Sequence, residues 1–125
     1  PGPGVHLYGN DLSGEALRAA RRNLEAAGLA DRATLTRGEA RDLLPPDEPV
    51  PGLVVVNPPY GERVEMEKGG WRALGDLLKK RFRGYRAAVI AGGESRGKEI
   101  GLRPRRRIPV WNGPLEARIL LFDLF

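Results

Sequence analysis

The chain has 125 residues, 41% of them hydrophobic and 30% charged, with a formal net charge of +5. This length predicts one domain over residues 1–125, and the composition is ordinary for a soluble protein. The lack of cysteine excludes disulfides and thiolate metal sites, and the lone His6 cannot form a metal cluster by itself. With no apolar run of about 20 residues and no signal peptide pattern at Pro1–Gly4, no membrane contact is predicted and a cytoplasmic location is expected.

Strand and helix patterns alternate along the chain. Val5–Gly9 predicts a strand that ends at Asn10 and Asp11, and a helix of about 14 residues follows between an N-cap at Ser13 and Gly28. The later predicted elements are strands at Ala33–Thr36 and Leu53–Val56, a helix from Trp71 to Phe82, a strand at Arg86–Ala91, at most a short helix within Ser95–Ile100, and strands at Ile108–Trp111 and Leu115–Phe125 around an Asn112-Gly113-Pro114 turn.

This order of elements indicates an α/β fold, with a mostly parallel sheet and a C-terminal antiparallel hairpin. The run Leu53–Val56 reads as apolar on both faces, which is typical of a parallel strand covered on both sides. The polar segment Gly61–Gly70 is expected to be a flexible lid beside a site.

The valine strand leads directly into Asn57-Pro58-Pro59-Tyr60. Two prolines cannot continue a strand ladder, so an amide and a phenol ring are held in a stiff turn at the carboxyl end of a strand, where open α/β sheets bind ligands. The Asn57 oxygen and the Pro58 carbonyl suit an exocyclic amine, and the Tyr60 ring suits stacking on its base. The simpler alternative is a strand-ending turn with a packed tyrosine.

Two acidic residues also follow predicted strands. Asp11 stands where dinucleotide-binding folds place a carboxylate on ribose hydroxyls, and Glu39 follows Gly38, which allows close approach of a ligand. Helix capping by Asp11 and an exposed loop charge at Glu39 are the structural alternatives.

The extended string Asn57-Pro58-Pro59-Tyr60-Gly61-Glu62-Arg63 resembles the motif of S-adenosylmethionine-dependent amino-group methyltransferases. The bacterial enzymes that methylate guanine N2 in large-subunit ribosomal RNA, with their THUMP-domain relatives, are the family it is most similar to. The resemblance implies a Rossmann-like class I methyltransferase fold, a ribosomal RNA substrate, and catalytic roles for Asn57, Pro58, Pro59 and Tyr60.

The resemblance extends to further segments and implies the cofactor contacts. Tyr8-Gly9-Asn10-Asp11 resembles the strand that places an acid on the ribose, and Gly38-Glu39-Ala40-Arg41-Asp42-Leu43 the stretch that contacts adenine, where the family often has Asp instead of Glu. S-adenosylmethionine would therefore contact Asp11, Glu39, Ala40 and Asn57. Asn112-Gly113-Pro114-Leu115-Glu116 resembles the closing hairpin of the family, with a structural role.

Family members begin with a strand and a glycine-rich cofactor loop, whereas only Pro1-Gly2-Pro3-Gly4 precedes the Asp11 strand here. The resemblance therefore implies a partial catalytic domain without its first strand, completed by an upstream segment or a second chain and inactive alone if nothing completes it. The edges of the Asp11 strand and of the valine strand would then be open.

The arginine-rich charge favours a polyanionic partner, although genome composition alone explains many such sequences. RNA phosphate contact is predicted for the densest basic run, which leads into a strand near the carboxyl end of the sheet, against the alternative of a solvated face; the run consists of Arg103, Arg105, Arg106 and Arg107. Two other functions fit the motifs: an adenine-N6 DNA methyltransferase, because several exocyclic amines use Asn-Pro-Pro-Tyr, and a non-catalytic nucleic-acid-binding remnant.

Overall fold

The computed structural model describes residues 4–47, 51–58, 69–92 and 97–125. They belong to two compact units, Pro1–Pro46 and Asp47–Phe125. The first unit contains β1 (Leu7–Asp11), α1 (Gly14–Ala26) and β2 (Ala33–Arg37), with 3-10 turns at Ala30–Arg32 and Ala40–Asp42. The second contains β3 (Leu53–Val56), α2 (Gly70–Arg81), β4 (Arg86–Gly92), β5 (Arg106–Asn112) and β6 (Leu115–Asp123), with a 3-10 turn at Gly97–Ile100.

Helix α1 begins and ends at the residues that the sequence predicts. Ser13 adopts an extended N-cap conformation, and its Oγ accepts a hydrogen bond from the Ala16 N–H at 3.2 Å. Gly28, just beyond the helix, has a φ of 73°, the left-handed conformation in which glycine is favoured. The predicted caps and the length of this helix are therefore confirmed.

Strands β1 and β2 are parallel, with Leu7 opposite Ala33 and Asp11 opposite Arg37. The prediction placed the first strand at Val5–Gly9, but pairing begins at Leu7 because Ala33 is the first residue of β2. Both strands end at the same level. Consequently Asp11 and the residues that follow β2 lie at one edge of this small sheet.

The second unit is built on a sheet with the strand order β3-β4-β6-β5. β3 and β4 are parallel, whereas β6 is antiparallel to both β4 and β5. The turn between β5 and β6 contains Gly113 at a φ of 61°. The predicted α/β class and the late antiparallel hairpin are confirmed. Among the described residues β1 pairs only with β2 and β3 only with β4.

The core of the second unit lies between α2 and one face of this sheet. Side chains of α2 and of alternate positions in β4 and β6 are almost fully buried; among them are Trp71, Leu78, Val89 and Phe122. The prediction that the valine strand is buried on both faces is wrong for the described residues, since Leu53 and Val55 are 61% and 65% exposed. They alternate with the half-buried Val54 and Val56, because α2 covers only one face.

Neither described helix, of 13 and 12 residues, has the length and apolar run needed to cross a membrane. Most of the predicted lid, Gly61–Gly70, falls outside the described residues. Only its last two glycines are described, and they lead into α2.

Gly75 allows close contact between α2 and the 3-10 turn that ends at Ile100. A Cβ at this position would overlap the Ile100 carbonyl oxygen and lie 2.8 Å from the carbonyl carbon. We expect Gly75→Ala to lower the free energy of unfolding by about 1–3 kcal/mol, the usual cost of overpacking a well-packed interior. Urea denaturation of the second unit, followed by the fluorescence of the buried Trp71, measures this loss.

Gly14→Ala is the matched control, since a Cβ there would meet only the ends of arginine side chains, the nearest being Arg37 Nη1 at 3.2 Å. Equal stability of the two variants would contradict the close-contact explanation.

Candidate active site

The two predicted acidic residues lie next to each other at the carboxyl end of the first unit's sheet. Asp11 is the last residue of β1, and its carbonyl oxygen accepts a hydrogen bond from the Gly38 N–H at 3.1 Å. Glu39 follows directly and precedes the 3-10 turn that begins at Ala40. Asp11, Glu39 and Ala40 are all exposed. The structure therefore brings the three predicted cofactor residues of this unit to the solvent-accessible carboxyl end of the sheet.

Part of the Asp11 carboxylate is already used for a local contact. Its Oδ1 accepts a hydrogen bond from the Ser13 N–H at 2.8 Å, just before α1. This is the structural role that the sequence suggested as an alternative. The contact fixes the orientation of the carboxylate, while Oδ2 makes no hydrogen bond within the described part of the chain. Capping and ligand binding are therefore compatible.

Asn10 holds the two strand ends together, a role that the sequence analysis missed. Its Nδ2 donates to the Gly38 carbonyl oxygen at 3.1 Å, and its Oδ1 accepts from Thr36 Oγ1 at 3.0 Å. The side chain is half-buried. It therefore fixes the backbone that leads into Glu39. The position of Asn10, directly before an acidic residue at a strand end, is the sequence signal for this role. Its partner Gly38, however, is 28 residues away in sequence.

In the second unit, Asn57 and Pro58 follow β3 directly. Asn57 is exposed and Pro58 is buried, so the chain leaves the strand with the proline packed and the amide accessible. The last residue of β3, Val56, pairs with Val89 of the parallel strand β4. Asn57 thus lies at the carboxyl end of this sheet, the end at which α/β folds bind ligands. Pro59 and Tyr60 lie outside the described residues.

The predicted RNA-binding arginines do not form one cluster. Arg105 Nη1 lies 3.4 Å from Asp123 Oδ1, whereas Arg106 and Arg107 are successive residues of β5 and so point to opposite faces. Arg103 precedes the strand in a loop. The run was expected near the carboxyl end of the sheet, and this location is wrong for Arg106: it pairs with Leu121, which pairs with Ala88 in the amino-terminal half of β4.

Comparison with known proteins identifies the family. The model of the family described as UPF0020, RMKL-like, methyltransferase domain, matches residues 3–119. The "Ribosomal RNA large subunit methyltransferase K/L" of Allochromatium vinosum is 43% identical over 121 residues, which cover 94% of this chain and 16% of that protein. The protein of the same name from Methylococcus capsulatus is 41% identical, with 94% and 16% covered.

A solved structure gives the same fold. The crystal structure described as "SMU.472, a putative methyltransferase complexed with SAH" superposes with a TM-score of 0.81 at 21% identity, over 95% of this chain and 32% of that one. This likeness confirms a class I, Rossmann-like methyltransferase fold. The chain spans about one sixth of the length of the curated relatives above. Since the family model covers nearly all of it, the chain belongs to the RMKL-like methyltransferase domain family.

Proposed function

We propose that the protein methylates an exocyclic amino group of a nucleobase with S-adenosylmethionine as the methyl donor, and that its acceptor is guanine N2 in large-subunit ribosomal RNA. The observation that carries this proposal is the exposed Asn57 amide at the carboxyl end of β3, in a chain 43% identical to a ribosomal RNA methyltransferase. The family match includes both units, which supports one methyltransferase domain. We place its action in the cytoplasm.

The donor set of the first unit fits the ribose and adenine of this cofactor. A carboxylate oriented by the Ser13 N–H and exposed at a strand end can accept hydrogen bonds from vicinal hydroxyls, and this is the role we give Asp11. Glu39 is exposed at the end of the neighbouring strand and makes no side-chain hydrogen bond with the described residues. It would accept from the adenine amine, beside the backbone of Ala40.

S-adenosylmethionine supplies a methyl group on a positively charged sulfur: the N–C bond would form as the C–S bond breaks, S-adenosylhomocysteine would leave, and the amine would lose one proton to solvent. Such an in-line displacement depends on positioning more than on a strong base. The Asn57 side-chain oxygen would accept one N–H of the acceptor amine, and the Pro58 carbonyl the other. These two bonds would orient the nitrogen lone pair toward the methyl carbon. Pro59 would keep the turn stiff, and Tyr60 would stack on the extruded base.

Comparing acceptors tests the substrate class. With radiolabelled S-adenosylmethionine, we expect label in ribosomal RNA and none in duplex DNA. Label in DNA alone would instead favour a DNA methyltransferase, for which adenine N6 is the expected acceptor. A calorimetric titration of the cofactor provides the second arm: a folded protein that binds RNA but not S-adenosylmethionine would be a non-catalytic remnant.

A further inference from the structure

An exposed tryptophan and two arginines share one face of the β5–β6 hairpin. Trp111 on β5 is 72% exposed, whereas Trp71 is 5% exposed. The register pairs Arg107 with Leu120, Pro109 with Arg118, and Trp111 with Glu116. Directly paired residues point to the same face, and so does every second residue of a strand. Arg107, Trp111 and Arg118 are therefore on one side of the hairpin.

Two more cations surround the same face. An open depression of about 910 Å³ is lined by Lys98, Arg103, Arg107 and Arg118, together with Glu99 and Glu116. Apolar side chains of β6 also line it. Within the described residues, none of the four cations makes a hydrogen bond or an ion pair. The cations outnumber the carboxylates two to one, so the depression attracts anions.

The rest of the arginine run is directed elsewhere. Arg105 is engaged by Asp123, and Arg106 lies on the opposite face of β5. Arg106 and Arg107 are both exposed and carry the same charge, but only Arg107 shares a face with Trp111. Arg106 is therefore a matched control for Arg107.

We propose that the Trp111 face, defined by Lys98, Arg103, Arg107, Trp111 and Arg118, binds single-stranded RNA. The indole of Trp111 stacks on an unpaired base, and the cations contact the flanking phosphates. An exposed aromatic ring beside a positively charged groove is how sheets bind single strands without reading their sequence. An acidic peptide would need the cations but would leave the flat indole surface unused.

The face also has a direction relative to Asn57. Ala117 pairs with both Gly92 and Val110, so Trp111 lies level with the carboxyl end of β4. Leu120 pairs with both Val89 and Arg107, so Arg107 lies level with the middle of β4. In the strand order β3-β4-β6-β5, β5 is three strand spacings from β3, or about 14 Å. RNA bound along the face from Arg107 to Trp111 therefore leads toward the end of the sheet that carries Asn57. This deepens, and rests on, the RNA substrate proposed above.

Binding of a short fluorescently labelled oligouridylate, measured by anisotropy without cofactor, tests the inference. Trp111→Ala should raise the Kd roughly five- to 150-fold, the range that loss of one base–aromatic stack produces, and Trp111→Phe should raise it less. Inorganic polyphosphate has no bases, so its Kd should not respond to Trp111→Ala. Trp111 is exposed, so neither variant threatens folding.

The two neighbouring arginines test the electrostatic part. Arg107→Gln should reduce the slope of log K against log salt by about 0.7, the value for one phosphate contact on a single strand, while Arg106→Gln leaves it unchanged. The inference would be overturned if Trp111→Ala bound RNA as tightly as the wild type. It would also be overturned if Arg107→Gln and Arg106→Gln had the same slope of log K against log salt. Since no cofactor is present, a failure of methyl transfer leaves these results valid. Conversely, if the protein methylates RNA but Trp111→Ala leaves RNA affinity unchanged, the proposed function stands and only the RNA-binding role of the Trp111 face is rejected.

Discussion

Replacing Asn57 by alanine is expected to lower methyl-transfer turnover by about 100- to 1,000-fold, the range seen when one preorganised hydrogen-bonding group at the reacting atoms is removed. Asn57 is exposed at the carboxyl end of β3, so removing its amide leaves no cavity and should not unfold the protein. RNA affinity should change far less, because base stacking and phosphate contacts supply most of it.

Single-turnover kinetics with saturating RNA, together with a separate RNA titration, measure the two quantities independently. Asn23→Ala is the matched control: it is the same substitution at another exposed asparagine, on α1. It should leave both quantities unchanged. Equal losses of turnover and RNA affinity in Asn57→Ala would contradict a role in orienting the acceptor amine.

Changing Asp11 to asparagine should weaken S-adenosylmethionine binding roughly 10- to 150-fold, because a hydrogen bond to a charged group contributes about 1.5–3 kcal/mol. The asparagine retains an oxygen for the Ser13 N–H, which Asp11 Oδ1 accepts at 2.8 Å. The start of α1 is thus preserved, and the variant isolates the negative charge. Calorimetric titration measures the cofactor affinity, and circular dichroism checks the fold.

Asp31→Asn removes one exposed carboxylate from the Ala30–Arg32 turn of the same unit and is its charge-matched control. It should bind the cofactor as the wild type does. If both variants lost affinity equally, the effect would be one of overall charge. If neither lost any, Asp11 would have only the structural role of accepting the Ser13 N–H before α1.

Local sequence patterns predicted the elements whose limits depend on near neighbours. Ser13 and Gly28 set α1 because capping and left-handed geometry act over a few residues. The hairpin turn at Gly113 follows from the same local chemistry. The adjacency of Asp11 and Glu39 was also predictable, since parallel strands bring their carboxyl ends to one edge.

The remainder depends on pairing between distant residues. The exposure of Val55 reflects how much of the β3 sheet α2 covers, which a run of valines does not encode. Likewise, the four arginines between residues 103 and 107 do not indicate how β5 pairs with β6. Alternation along β5 puts Arg107 and Trp111 on one face, but only the pairing of β5 with β6 shows that Arg118 shares that face. The contact from Asn10 to the Gly38 carbonyl was hidden for the same reason. Pro59 and Tyr60, outside the described residues, stay predictions.

Mass spectrometry of nucleosides shows whether guanine N2 of ribosomal RNA receives the methyl group, as we propose. Unmodified large-subunit ribosomal RNA is incubated with the protein and isotopically labelled S-adenosylmethionine before digestion to nucleosides. We predict labelled N2-methylguanosine, and its loss in Asn57→Ala. A labelled N6-methyladenosine, or no labelled nucleoside from a protein that binds both cofactor and RNA, would contradict the assignment.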